Sequence, residues 1–342
     1  MNILVVGPSW VGDMVMAQSL FMLLAKNDPE LAIDVLAPAW SLPLLERMPE
    51  VRTALAMPVG HGQLQLMTRY RLGRALAEKA YQQAIVLPNS FKSALVPWFA
   101  GIPLRTGWRG EARSWLLNDC RVLDRKKYPL MMERFAALAV PENSALPTPL
   151  PTPALQVQAA GQEKARTKFS LSLSRPVLLV CPGAEFGASK QWPAQHYAAV
   201  AAAAIAQGRQ IWLLGSANDC QVGAEIYQSL PGALREHCKD LTGRTTLAEA
   251  IDLMSLSQAV ISNDSGLMHV AAALDRPLVV IYGSTSPAFT PPLARQARTL
   301  SLNLACSPCY KRRCPLSGTE HLKCLRELKP MLALEALRSL EH

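Results

Sequence analysis

The feature that most constrains this chain is a short apolar strand that runs straight into a glycine turn and then into a helical segment. This unit stands at the start and again past the middle. Asn2–Val6 (NILVV) is followed by Gly7-Pro8-Ser9-Trp10-Val11-Gly12-Asp13, and Met14–Lys26 then takes helical spacing. Pro176–Cys181 (PVLLVC) is followed by Pro182-Gly183-Ala184 and, further on, by an Ala-rich helix over Pro193–Ala206. An apolar run this short, bounded by turn residues, fits a strand buried on both faces of a parallel sheet.

The alternation continues in both halves. Ile33–Ala37, Ala54–Met57 and Ala84–Leu87 read as further strands, with helices over Leu42–Met48, Met67–Lys79 and Phe91–Ala100. In the second half, strands over Gln210–Leu214, Ala259–Ser262 and Leu278–Tyr282 alternate with helices over Leu247–Leu256 and Gly266–Leu274, and a last helix covers about Leu328–Leu340. Such an order predicts α/β folding with doubly wound parallel sheets. Pro141–Pro153 holds five prolines and little pattern, so it reads as a linker. The expected division is 1–153, 154–325 and a closing helical segment 326–342.

Composition narrows the partners. Half of the 342 residues are hydrophobic and only 18 % are charged, so no segment is charge-dense enough to stay unfolded. The net charge of +9 favours an anionic partner: a nucleotide, a phosphorylated lipid, a membrane surface or nucleic acid. No basic region precedes the first apolar run, and Asp13 interrupts it. The longest apolar run, around Tyr197–Ala206, is about half a membrane span. A soluble or peripheral cytoplasmic protein is expected, with its eight cysteines as thiols or metal ligands.

Five loops carry candidate chemistry. Gly7–Asp13 has the G-x4-G spacing of a phosphate loop, but Asp13 stands where lysine is needed and would repel phosphate. A carboxylate at the carboxyl end of a strand suits a general base; it would equally suit a helix cap. The loop Pro182–Pro193 offers glycines for close backbone approach and Lys190 for charge, the bland alternative being a solvated surface loop. Ser262-Asn263-Asp264-Ser265-Gly266-Leu267-Met268-His269 opens a helix whose N-terminus could face phosphate. Gly215-Ser216-Ala217-Asn218-Asp219 ends another strand and offers a weaker contact, and Tyr282-Gly283-Ser284-Thr285 offers another weak one. No G-x-G-x-x-G and no D-x-D occurs, which argues against a dinucleotide enzyme and weakens a cation-held nucleotide.

Two clusters remain. Cys306, Cys309, Cys314 and Cys324 could make a structural tetrahedral zinc site, free thiols or a redox bridge. Arg105, Arg109 and Arg113, interleaved with Trp108 and Trp115, suit an acidic glycolipid, nucleic acid or plain solvent. A basic, zinc-bearing nucleic-acid-binding protein is therefore the rival from another class.

Taken together, Gly7–Asp13, PGAEFGASKQWP, SNDSGLMH and CSPCYKRRC resemble the bacterial lipopolysaccharide heptosyltransferases, glycosyltransferase family 9. The resemblance implies a GT-B fold, with two Rossmann-like domains facing each other across a cleft and a last helix crossing back to the first domain. It implies an inverting, metal-independent transfer of heptose from ADP-heptose onto the first heptose of the Kdo–lipid A inner core, at the cytoplasmic face of a membrane. It implies Asp13 as general base. Gly183, Ala184, Lys190, Ser216, Asp264, Ser265, Gly266 and His269 would hold the donor, and Arg105, Arg109 and Arg113 would face the acceptor. No cofactor is required on this basis, and zinc on the cysteines would be structural. A related transferase with another donor or acceptor is the alternative.

Overall fold

A computed structural model describes residues 1–60 and 62–340 and divides the chain into two compact units, Met1–Gln156 and Val157–His342. Residues 341–342, the end of the expected closing segment, lie outside the described residues. In the first unit the strands are β1 (Asn2–Val6), β2 (Ala32–Pro38), β3 (Val51–Met57), β4 (Gln83–Val86), β5 (Leu104–Trp108) and β6 (Asp119–Arg121). In the second they are β7 (Val177–Cys181), β8 (Gln210–Leu213), β9 (Cys238–Asp240), β10 (Ala259–Asn263), β11 (Leu278–Ile281) and β12 (Ala297–Leu300).

The sheet orders are β3-β2-β1-β4-β5-β6 and β12-β11-β10-β7-β8-β9, and every pairing is parallel. Both units thus have the mononucleotide-binding order, with the direction of winding reversing between the first and fourth strand of each. Ligands in such sheets bind outside the carboxyl ends of the strands at that reversal. In the first unit it lies beside the turn after β1. In the second it lies beside the loops after β7 and β10.

Local chemistry explains the turns. A side chain at Gly7 would press on Met14, Val35 and Ala37, so glycine lets the turn close against the sheet and the helix Val11–Asn27. Gln18 and Ser19 on that helix are fully buried yet satisfied. Ser19 Oγ donates to the Pro151 carbonyl at 2.7 Å, and Gln18 exchanges bonds with Ala154 at 2.9 and 3.0 Å. Gln156 N donates to Arg47 O at 2.9 Å. The proline-rich stretch is therefore bound at its end to the first unit.

Several expectations need correction. Phe91–Ala100 is not one helix: it is a 3-10 turn, Phe91–Ala94, followed by an α-helix, Leu95–Phe99. Pro97 lacks an N–H and so belongs in the first turn of a new helix. Leu104–Trp108, to which the sequence assigned no element, is strand β5. The closing helix, Pro330–Arg338, packs on the helix Ala194–Ala206 and on β11 and β12. Its Ala333, Ala336 and Leu337 join the second unit's core.

Candidate active site

The loops after β7 and β10 meet at the reversal point of the second sheet, and Asn263 binds them together. Its Oδ1 accepts from Trp192 N at 3.1 Å and from the Tyr197 hydroxyl at 2.9 Å. Its Nδ2 donates to the carbonyls of Pro182 and Gly183 at 2.7 and 3.3 Å. A fully buried amide satisfied on both ends holds both loops in one register. Sequence reasoning quoted Asn263 but did not single it out.

Lys190 and Asp264 form the charged centre. Lys190 Nζ lies 2.6 Å from Asp264 Oδ2 and donates to the Asp264 carbonyl at 3.2 Å. The hydroxyl of Thr285, the last residue of the weak loop after β11, donates to the same Oδ2 at 2.6 Å. The Asp264 side chain is 4 % exposed and that of Lys190 14 %. A carboxylate cannot itself bind a diphosphate oxygen. Asp264 therefore fixes the lysine beside the helix start, an arrangement chemically suited to an anion. That start is Ser265-Gly266, opening the helix Gly266–Ala273, and Ser265 makes no side-chain cap bond there. His269 is buried one turn in. Burial pulls its pKa down to about 4; the Asp264 charge raises it and the Lys190 charge lowers it further. The ring is neutral near pH 7 and adds no positive charge to the site.

Two cations approach the Phe186 ring: Lys190 Nζ stands 5.0 Å and Arg312 Cζ 5.7 Å from its centre. Arg312 belongs to the segment that carries the cysteines. That segment fastens the loop. Ser189 Oγ donates to the Lys311 carbonyl, Ser189 Oγ and Ser284 Oγ are 3.0 Å apart, and Tyr310 N donates to Ser284 O at 2.7 Å. Gly187, at φ +150°, is where any side chain would strike the Arg312 carbonyl.

The four cysteines line one cavity of about 70 Å³, whose wall includes Ser189 and Ser284. Burial raises the Cys324 thiol pKa, and Cys306, Cys314 and Cys309 raise it further. Leu322 N donates to Cys314 Sγ at 3.4 Å. The thiol set is chemically suited to zinc. Among the described residues, however, no group of three or more His, Cys, Asp or Glu side chains is placed to hold a metal ion.

The other expected residues divide. Gly183 packs on the Asp219 carboxylate, where a side chain would collide. Ala184 follows it, half-buried in the same loop. The Ser216 hydroxyl is held by Asp219 Oδ2 at 2.8 Å, which also takes the Ser216 N–H at 2.7 Å, so that hydroxyl braces its own turn.

In the first unit, Asp13 sits half-buried in the first turn of Val11–Asn27, after β1. Arg113 is fully buried. It donates to Pro88 O, Ser93 Oγ (2.9 Å), Asn89 Oδ1 (3.1 Å) and Trp108 O (2.6 Å), and burial lowers its pKa to about 10. Arg105 donates to Ile102 O and to Leu116 O at 2.7 Å. Arg105 thus bonds backbone carbonyls, and Arg113 bonds both carbonyls and the side chains of Ser93 and Asn89, within the first unit. Arg109 is exposed.

The sequence matches the family described as Glycosyltransferase family 9 (heptosyltransferase) over residues 69–320. The chain belongs to that family. It is 50 % identical to lipopolysaccharide heptosyltransferase 2 of Salmonella typhimurium, covering 99 % of this chain and 98 % of that one. It is 49 % identical to lipooligosaccharide heptosyltransferase 2 of Haemophilus influenzae, covering 99 % of each. The solved structure of E. coli ADP-heptose lps heptosyltransferase II superposes with a TM-score of 0.89 at 49 % identity, over 99 % of this chain and 98 % of that one. The chain is thus a family 9 glycosyltransferase, its α/β fold is of the GT-B type, and the nucleic-acid alternative falls away. Among the described residues no helix is long and apolar enough to cross a membrane.

Proposed function

We propose that this family 9 enzyme moves L-glycero-D-manno-heptose from ADP-heptose to the first heptose of the lipopolysaccharide inner core, inverting the anomeric centre. The observation that carries the donor half of this proposal is Lys190 held 2.6 Å from Asp264 beside the start of the helix Gly266–Ala273, at the reversal point of the second sheet. The relatives' printed names supply the sugar and the class of acceptor.

On this reading Asp13 takes the proton from the acceptor hydroxyl as that oxygen bonds to the anomeric carbon. The bond from that carbon to the ADP oxygen breaks, and ADP leaves with the electron pair. Lys190 and the helix start carry the charge that grows on the diphosphate. Gly183, Ala184, Ser265, Gly266 and His269 line the donor side, Arg109 belongs to the acceptor side, and the enzyme works at the cytoplasmic face of the inner membrane. The transfer needs no cofactor on this reading. The four thiols of Cys306, Cys309, Cys314 and Cys324 take no part in the transfer on this reading.

The test is a donor panel of ADP-heptose, ADP-glucose and UDP-sugars with a heptosylated acceptor. Turnover with ADP-heptose alone is expected; none with it, or turnover with another donor, rejects the proposal. Asp13→Ala should lose at least about a hundredfold in turnover while ADP affinity holds, the scale of a lost general base.

A further inference from the structure

The first unit carries an exposed aromatic ridge that the transfer reading does not use. It begins on the helix Leu66–Ala77, where Met67, Tyr70, Arg71 and Arg74 fall on one stripe by their spacing. All four are exposed, and Leu64 and Leu66 beside them are exposed as well. Gly73 lets this helix sit directly on the Val96 carbonyl and Phe99 of the next helix, where a larger residue would collide. That close approach sets Tyr70 edge-on to Phe99 at 5.2 Å. Trp98 lies 5.0 Å from Phe99 and 5.8 Å from Trp115, and Trp115 lies 6.0 Å from Phe91. Trp98 is 41 % exposed and Trp115 62 %.

The ridge is firmly held from beneath. Arg69, buried, donates to the carbonyls of Leu64 (2.7 Å), Gln63 (3.2 Å) and Lys92 (3.2 Å), so one guanidinium ties the loop before the helix to the 3-10 turn that leads to Trp98. An ordered, contiguous row of large apolar side chains in water is unusual for a surface with no partner. Its composition selects the partner. Tryptophan and tyrosine are the residues that settle at a lipid–water boundary, and the exposed cations Arg71 and Arg74 add attraction to anionic headgroups. The neighbouring acids are Glu78, one turn beyond Arg74, and Glu111, whose carboxylate is engaged by Phe91 N at 2.7 Å.

We propose that this ridge docks the first unit on an anionic phospholipid surface, with Trp98, Trp115, Tyr70 and Met67 entering the headgroup boundary and Arg71 and Arg74 pairing with lipid phosphates. The proposal rests on the reading that the acceptor is carried by a lipid. The full chain is sedimented with phosphatidylglycerol vesicles and with phosphatidylcholine vesicles, at low and high salt. Binding to the anionic vesicles, weakened by salt, is expected. Trp98→Ser with Trp115→Ser, and separately Arg71→Glu with Arg74→Glu, should each weaken partitioning at least about tenfold. Thermal midpoint, ADP affinity and turnover of a water-soluble acceptor fragment should stay at the parent's level. The charge-reversal pair lies on solvent and guards against a misfolded tryptophan variant. Lipid-borne bromine should quench the parent's tryptophan emission and spare the double-serine variant.

Equal binding to both vesicle types, parent-like binding by folded variants, or a dimer in solution that the serine variants dissolve would each overturn the proposal. Partitioning needs neither donor nor turnover. Failure of the transfer reading in the donor panel therefore leaves the docking result standing, and the reverse also holds.

Discussion

Asn263 spends both ends of its amide inside the second unit, on Trp192, Tyr197, Pro182 and Gly183. Asn263→Ala strands two donors and two carbonyls in a buried place, at a cost of about 2–4 kcal/mol. The expected result is a lower thermal midpoint and a raised donor KM, because both anion loops lose their common anchor. Lys190→Ala should raise donor KM and lower turnover by about tenfold or more, whereas Arg312→Ala should act mainly on donor KM, since its cation stands against the Phe186 ring and steadies the loop. His269 supplies a pH test. Its folded pKa is about 4, below the ordinary 6.5, so the unfolded chain binds the proton first. Stability from this group is full above pH 6.5 and is lost as pH falls toward 4, by about 3 kcal/mol at most. Thermal midpoints across that range should slope downward for the parent, and His269→Gln should flatten the slope.

At the scale of elements, the strongly apolar strands were legible in the sequence and the mixed ones were not. NILVV and PVLLVC announce themselves because both of their faces are covered by helices. Leu104–Trp108 and Asp119–Arg121 carry arginine, glycine and aspartate, so no run marks them, and only their place beside β4 makes them strands. The same blindness hid the burial of Arg113: nothing in its neighbours distinguishes a surface arginine from one that closes the turn after β4. The glycine loops after β7 and β10 were legible as candidates because each follows a strongly apolar strand. The contacts of Thr285 and Asn263 were not, since their partners lie 21 and 66 to 81 residues away in sequence. Gly183→Ala tests the element directly. A methyl group there meets the Asp219 carboxylate, so the loop must shift. The expected outcome is a donor KM raised severalfold with Asp13-dependent chemistry still present in single-turnover measurements.

At the scale of the molecule, each unit carries its own polar ties, and acid should act on them separately. In the first unit, burial alone would raise the Asp34 pKa. The Arg52 fork, at 2.8 Å to each oxygen, and the Tyr81 hydroxyl, at 2.6 Å, outweigh it and hold that carboxyl below its usual range. Asp119 is likewise held low: Arg121 and Thr106 overcome the effect of burial. A depressed carboxyl contributes stability above its unfolded pKa and loses it as pH falls through the folded one. These ties are therefore lost only below about pH 4. The His269 loss begins higher, in the second unit. Proteolysis of the full chain stepped from pH 7 to pH 3 should nick the second unit before the first. Arg52→Ala should bring the first unit's loss to a higher pH.

The grip of residues 310–312 on the 182–193 loop restricts how this protein can be altered. Gly187 leaves no room between its backbone and the Arg312 carbonyl, and Ser189 is tied to Lys311 and Ser284. The two stretches are more than a hundred residues apart in sequence, yet neither keeps its shape without the other. A chimaera that grafts a relative's 182–193 loop here while retaining this chain's 305–314 would receive a bolt cut for a different latch. Only transplanting both together should carry a donor preference from one protein to another.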